Sequence, residues 1–327
     1  MKKYSFNIII PSIKIDSLLT NCLNKLQSQS YKKFFVTIVL DKNNILKKYN
    51  YKINKLVTGK SNMSVKRNIA VQNYKSDYVV FLDSDAYPND NWLENANKLY
   101  NKKRNEILGG PNIPFPNETR SEMISHYCKR SFWVNGHLSY RKHLSKDRYI
   151  NDWLESCNFF IKREIYLKKK GMNEKLYIGE DQDFFKKLNN SIKIYFTKDL
   201  FVYHKDRNIK NFLIQRFCFG LDVFNGINFN TGLRGLLVLL PFSTLSSLLI
   251  FLIFPADINL KIKMIFYFTI FFIFLVGLDI GRYVRLKLIP KVIYFIIISN
   301  LIYGFGGICT LLGLRLKIEK IIYRKSR

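Results

Sequence analysis

The sequence predicts an α/β protein: a mostly parallel sheet flanked by helices, followed by a C-terminal transmembrane helical region. Three observations carry that prediction. Short apolar runs alternate with segments of helical spacing through the first half of the chain, the pattern of a parallel sheet covered on both faces. Three long runs without a charged residue follow one another after Arg234. The 327 residues carry 53 Lys+Arg against 24 Asp+Glu, a formal charge of +29, yet 48% of them are hydrophobic and 15% aromatic. A disordered polybasic chain would be poor in both of those classes.

Taken in order, residues 6–10 (FNIII) read as a buried strand stopped by Pro11-Ser12. Residues 16–29 place Leu18, Leu19, Cys22, Leu23 and Leu26 at helical spacing. Residues 34–40 (FFVTIVL) are a second strand ending at Asp41, and 64–75 a helix after the turn-like GKSN. Residues 77–82 (DYVVFL) are a third strand, running into Asp83-Ser84-Asp85. A helix over 91–103, a strand start over 106–109 and a strand over 192–203 complete the soluble part. Ligands of such sheets bind outside the carboxyl ends of the strands. Pro11-Ser12, Asp41 and Asp83-Ser84-Asp85 all fall there. No G-x-G-x-x-G and no Walker A lysine motif is present, which disfavours a dinucleotide fold and a P-loop NTPase.

The apolar residues are segregated. Uncharged runs cover 22 residues between Arg234 and Asp257, 15 between Lys263 and Asp279, and 23 between Lys291 and Arg315. A bilayer-crossing helix needs about 20 predominantly apolar residues. The first and third runs meet that length, and the second does so if Asp279 is tolerated near one end. Pro241 in the first run and Gly304, Gly306, Gly307 and Gly313 in the third make these two candidates for a re-entrant or interfacial path. The expected count is therefore two or three spans. The division drawn from sequence is a domain at 1–206, an interfacial connector at 207–232 and a membrane region at 233–327 ending in a basic tail. The connector mixes aromatic with basic residues, as helices lying on anionic headgroups do.

Five cysteines, an odd number with no C-x-x-C pair, speak against a zinc ribbon or a disulfide framework. The N-terminal apolar run is five residues long and ends at Pro11, too short for a signal-peptide core. The soluble domain is therefore expected on the cytoplasmic side of a multi-pass cell-membrane protein. No nucleic-acid-binding module is recognisable, so the positive charge is assigned to the membrane surface rather than to nucleic acid.

Asp83 and Asp85, separated by one residue past a buried strand, offer hard oxygen ligands suited to Mg2+ or Mn2+ bridging a substrate diphosphate; a solvated turn is the plain alternative. Glu180-Asp181 precede a segment of helical spacing, either as N-terminal helix acids or with a general base among them. His204 follows the 192–203 strand as a packed residue or a metal ligand. Arg67, in SVKRNIA, lies at a helix start. Trp133, His137, Tyr140, Trp153 and Glu155, within 112–156, are candidates for an acceptor-facing segment.

The ordered pieces FNIIIPS, IVLD, SVKRNIA, DYVVFLDSDAYP, SCNFFIKRE, GMNEKLYIGEDQDFFKKL and VYH resemble the family 2 glycosyltransferases of the GT-A fold, over roughly residues 5–205. The resemblance implies a nucleotide-sugar donor, Mn2+ or Mg2+ as cofactor, and inversion at the anomeric carbon. It implies that Pro11, Ser12, Asp41, Arg67 and Asp83 line the donor pocket, that Asp83, Asp85 and His204 hold the metal, and that Asp181, beside Glu180, is the catalytic base. The chain departs from the family in carrying Ile13-Lys14 where many members have Tyr-Asn, and Leu40-Asp41 where many have Asp-Asp. It has Gln215-Arg216-Phe217 in place of the Q-x-x-R-W of processive members, which favours transfer of a single sugar. C-terminal membrane helices in this family imply a lipid-linked or surface-glycan acceptor. The competing reading is a membrane adaptor that keeps the fold without the chemistry.

Overall fold

The computed structural model describes residues 1–103, 106–176, 178–188, 192–224, 236–315 and 318. The chain divides into two compact units. One joins Met1–Phe115 to Tyr140–Lys205, and the other joins Pro116–Ser139 to Asp206–Arg327. The sequence draws the soluble domain as one continuous stretch. By its contacts the short segment Pro116–Ser139 groups instead with the C-terminal helices.

The elements run β1 (Phe6–Pro11), α1 (Ser17–Leu26), β2 (Phe34–Leu40), β3 (Lys52–Val57), α2 (Met63–Asn73), β4 (Tyr78–Leu82), β5 (Ala86–Pro88), α3 (Trp92–Tyr100), β6 (Ile107–Gly109) and β7 (Asn112–Pro114). Then come α4 (Arg120–Arg130), α5 (Phe132–Asn135), β8 (Arg148–Ile150), β9 (Asn158–Lys162), α6 (Arg163–Lys168), α7 (Glu180–Lys186), β10 (Ile194–Phe196) and β11 (Val202–His204). Four longer helices follow: α8 (Ile209–Leu221), α9 (Leu240–Ile253), α10 (Ile258–Ile280) and α11 (Ile289–Leu311).

In the first unit an eight-stranded sheet has the order β3-β2-β1-β4-β9-β6-β10-β8, and a three-stranded sheet the order β5-β11-β7. The β3-β2-β1-β4 half is parallel throughout, while β9 runs antiparallel to both β4 and β6. The chain leaves β1 toward β2 on one side and reaches β4 on the other. The carboxyl end of β1 is thus a switch point, where open α/β sheets bind ligands. Strands β1 and β4 are buried along their whole length, which explains their unbroken apolar runs. The polar Asn7 is accommodated because the Thr37 hydroxyl donates to its Oδ1 at 2.7 Å. Phe6, Tyr78, Tyr100 and Phe160 pack ring against ring beneath α1 and α3.

Two strand readings change. Residues 192–203 form two strands, β10 and β11, separated by a turn in which the Thr197 side chain accepts from the Asp199 N–H. That turn moves the chain from the large sheet to the small one. Strand β3 escaped the sequence reading because it lies at the sheet edge and is polar, with no buried residue.

In the second unit, three helices are long and apolar enough to cross a membrane: Leu236–Ile253, Ile258–Ile280 and Leu286–Leu311. Pro241 sits in the first turn of α9, where its missing N–H costs nothing. Gly304, Gly306 and Gly307 do not interrupt the third run, since α11 is continuous from Ile289 to Leu311, while Gly313 lies just past its end with φ +71°. The three glycines inside α11 permit close approach instead: a Cβ on Gly306 would lie 2.5 Å from the Phe217 carbonyl oxygen of α8, a role small residues also play between membrane helices. Asp279, the one acid inside α10, accepts from the Ser131 hydroxyl at 2.6 Å and the Phe132 N–H at 3.0 Å. The connector is partly helical as α8, which buries Phe212, Arg216, Gly220 and Leu221; its residues 225–232, and most of the basic tail beyond Arg315, lie outside the described residues.

Candidate active site

The candidate donor, metal and base residues Pro11, Ser12, Asp41, Arg67, Asp83, Asp85, Glu180, Asp181 and His204 all lie in the first unit, whereas Trp133 and His137 of the candidate acceptor-facing segment belong to the second. Ser12 follows β1 and donates its backbone N–H to Val39 at 2.9 Å, while its hydroxyl donates to the Lys14 carbonyl at 2.8 Å. Asp41 follows β2. Between them sits a residue the sequence reading passed over. Lys66 is fully buried and reaches both Asp41 Oδ1 and the Ser12 carbonyl at 2.5 Å. A buried ammonium is costly unless paired, and this one fastens the end of β1 to the end of β2. Its signal was present: Lys66 shares a helix face with the buried Ala70, four residues on.

Arg67, the next residue, is 2% exposed and bridges two acids, with Asp83 at 2.8 Å and Glu180 at 3.0 Å. Burial alone would weaken its charge, but Asp83 and Glu180 outweigh that and hold the guanidinium more firmly protonated. The two acids come from distant stretches, one after β4 and the other opening α7. Gly179 precedes α7 with φ +75°, a left-handed conformation that glycine adopts without strain; it turns the chain so that Glu180 and Asp181 follow at once.

Asp181 is treated differently from its neighbour. Among the described residues its one hydrogen bond comes from the Gln182 N–H, at 2.8 Å. Burial pushes its carboxyl up to about 7, with the adjacent Glu180 adding to the shift. Glu155 goes the other way. Burial would raise it, but Lys142, at 2.7 and 2.8 Å from its two oxygens, and Arg141 hold it down at about 2. Asn112 also donates to Glu155. Two carboxyls in one site thus carry opposite shifts, the arrangement by which acid and base roles are separated.

The third group forms where the two sheets meet. β4 belongs to the large sheet and β5 to the small one, and Asp83-Ser84-Asp85 is the link between them. His204, at the end of β11, places Nε2 3.6 Å from Asp85 Oδ1. One ligand atom each from Asp83, Cys157 and His204 lie within 4.8 Å of one another. This carboxylate–imidazole–thiol set, with Asp85 beside it, has the donor chemistry to hold a divalent cation. Cys157 was not singled out from the sequence, although it stands in SCNFFIKRE.

Residues 7–168 match the sequence model of Glycosyl transferase family 2. The sheet-bearing unit is therefore a family 2 glycosyltransferase domain of the GT-A fold. The chain is similar to the poly(ribitol-phosphate) beta-N-acetylglucosaminyltransferase TarS of Staphylococcus aureus, 24% identical over 255 residues, covering 65% of this chain and 44% of that protein. It is also similar to the glycosyltransferase GlyA of Streptococcus pneumoniae, 23% identical over 210 residues, covering 58% of this chain and 30% of the relative. The chain thus spans less than half the length of either curated relative. Among solved structures, S. aureus TarS 1-349 in complex with UDP-GlcNAc aligns with 94% of this chain and 92% of its own, at 19% identity and a TM-score of 0.48.

Proposed function

We propose that the protein is a membrane-anchored, inverting glycosyltransferase. It moves a single sugar from a nucleotide-sugar donor to a membrane-associated acceptor, lipid-linked or a surface glycan. The observation that carries the reading is the convergence at the strand ends: Asp83 and Glu180 on the two arms of Arg67, Asp85 facing His204, and Asp181 raised to about 7 beside them. The family of the domain and the names of its relatives support glycosyl transfer.

In this reading Pro11, Ser12 and Asp41, fixed by Lys66, form the wall of the nucleotide pocket. Asp83, Asp85 and His204 would hold Mn2+ or Mg2+, whose charge would stabilise the departing nucleoside diphosphate. Arg67 keeps Asp83 and Glu180 in register and adds positive charge near the same phosphates. Asp181 takes the proton of the acceptor hydroxyl as that oxygen attacks the anomeric carbon from the face opposite the leaving group. One base is enough, and the bond to the diphosphate breaks as the new glycosidic bond forms. The apolar helices α9, α10 and α11 would anchor the enzyme beside its acceptor, with the glycosyltransferase domain in the cytoplasm.

The test uses the full chain in detergent with Mn2+ and a panel of UDP-, GDP- and dTDP-sugars, beginning with UDP-GlcNAc because TarS is an N-acetylglucosaminyltransferase. Release of nucleoside diphosphate from one donor, abolished by Asp85→Ala and by Asp181→Asn, is the expected result. Full turnover by Asp181→Asn would remove the base from this scheme. Absence of binding to every nucleotide sugar would favour a non-catalytic adaptor.

A further inference from the structure

The register of the sheets carries the inference. β4 and β9 are antiparallel with Leu82 opposite Asn158, so the next step along the ladder sets Asp83 opposite Cys157. β5 and β11 are antiparallel with Ala86 opposite His204, and the Lys205 N–H donates to the Asp85 carbonyl at 2.9 Å, which continues that ladder by one residue. Asp83 is therefore faced across the large sheet by the Cys157 thiol, while Asp85 lies opposite Lys205 in the small sheet, with the His204 imidazole diagonal to it, Nε2 3.6 Å from Asp85 Oδ1. The Cys157 placement follows from the β4–β9 pairing, and His204 is the last residue of β11. Cys157 is 4% exposed, and among the described residues its sulfur has one weak polar contact, 4.0 Å to Glu155 Oε2. Glu155 itself is taken up by Lys142.

We propose that Cys157 is a direct sulfur ligand of the cation held by Asp83 and His204. The centre is then a mixed oxygen–nitrogen–sulfur site that selects Zn2+ or Co2+ over Mg2+. This rests on the metal-dependent reading given above, adds Cys157 to its ligands and puts Zn2+ or Co2+ in place of Mn2+ or Mg2+ as the preferred ion. Mg2+ takes oxygen ligands in near-ideal octahedral geometry. Zn2+ accepts carboxylate, imidazole and thiolate together in a tetrahedron, with Zn–S about 2.3 Å and Zn–N about 2.0 Å. The three ligand atoms, within 4.8 Å of one another, need only a small side-chain adjustment to close on such an ion. Arg67 occupies Asp83 Oδ1, leaving the other carboxylate oxygen to coordinate. As the sulfur–metal bond forms, the thiol proton leaves to solvent, and the two anionic ligands balance the dication. Softness of the sulfur then favours the later metals.

The full-length chain in detergent is titrated with Co2+ and followed by absorption. The expected result is a near-ultraviolet sulfur-to-cobalt charge-transfer band that saturates with one equivalent, is erased by Zn2+ and survives excess Mg2+. Cys157→Ser should lose the band and bind Zn2+ more weakly, by more than the roughly 10–100-fold that loss of a supporting contact costs. Cys22→Ser should keep the band. X-ray absorption of the Zn2+-loaded wild-type chain, with a Zn–S path of about 2.3 Å, reads the same ligand without any substitution. If Co2+ binds in a manner abolished by Asp83→Asn but shows no sulfur band, the metal site stands and the sulfur ligand is overturned. If neither Co2+ nor Zn2+ binds, with or without UDP, the sulfur ligand is overturned, and the metal-dependent reading falls with it only if Mn2+ and Mg2+ also fail to bind or to support turnover.

Discussion

The acids of the two units are handled in opposite ways. In the helical unit the buried Asp206 and the half-buried Asp279 are both saturated. Asp206 receives His126 Nδ1 at 2.9 Å and is also bridged by Lys129, and Asp279 receives Ser131 and the Phe132 N–H. In the sheet unit some acids are saturated and others are not. Asp41 and Glu155 hold lysines, whereas Asp181 takes one backbone N–H among the described residues and has its carboxyl pushed up to about 7, by burial first and by Glu180 second. A saturated buried acid is a fastening. An unsaturated one, its carboxyl pushed up to about 7, is a group poised to exchange a proton. The comparison therefore predicts where substitutions cost stability and where they cost turnover.

The largest effect falls on the unsaturated acid. Asp181→Asn should reduce turnover by about 10²–10⁴-fold, the span of general-base contributions, with little change in donor affinity or melting temperature. The comparison breaks if Asp181→Asn instead unfolds the chain. Because the base must be ionised, kcat/KM of the wild type should rise with pH through about 7, where burial has moved the Asp181 carboxyl.

The saturated acid should behave in the reverse way. Asp206→Ala strands His126 and Lys129 in a buried site, and removing one partner of such a pair costs about 3–5 kcal/mol. Thermal unfolding of the full chain in detergent should show a lowered midpoint, while the folded fraction keeps its turnover. Lys129 and His126 hold the Asp206 carboxyl well below the usual carboxylate range, against the opposing effect of burial. A depressed folded pKa gives stability that is present above the unfolded value of about 3.9. That stability drains away as the pH falls below it. The stability gap between wild type and Asp206→Ala should therefore narrow on acidification.

A finer test separates Glu180 from Asp181. Glu180 adds negative charge beside Asp181 and so helps to raise it. Glu180→Gln removes that charge, so the acid limb of the kcat/KM profile should move to lower pH. An unmoved limb would mean that Asp181 is not the titrating base. The same substitution weakens one arm of Arg67, so a rise in KM should accompany the shift.

The parallel half of the sheet was legible because its strands are buried on both faces and read as unbroken apolar runs. The acids at their ends stood out because so few acids occur in the chain. Strand β3 was hidden by its polar edge position, and β9 by being known only as part of a motif. Cys157 and Lys66 were missed for a common reason. Each matters through a partner distant in sequence: Cys157 sits across the β4–β9 ladder from Asp83, and Lys66 ties the ends of β1 and β2. No local pattern marks Cys157, and the one local sign of Lys66 is its helix face shared with the buried Ala70. The glycines of α11 were visible but misread as interruptions, since composition does not say whether a glycine breaks a helix or lets another one approach.

That last distinction yields the smallest and cleanest pair of variants. Gly306 and Gly277 lie on two apolar helices and are alike in sequence terms. A Cβ on Gly306 would meet the backbone oxygen of Phe217 at 2.5 Å, whereas one on Gly277 would meet nothing within 4 Å. Backbone cannot rotate away as a side-chain tip can, so Gly306→Ala should push α8 and α11 apart and cost about 1–3 kcal/mol, as overpacking does. Gly277→Ala removes conformational freedom from the unfolded chain without adding a clash and should stabilise by roughly 0.5–1 kcal/mol. Opposite shifts of the melting midpoint in detergent would show that the glycines of α11 serve close approach. Equal shifts would show that glycine content alone, and not the α8–α11 contact, sets the stability of these helices.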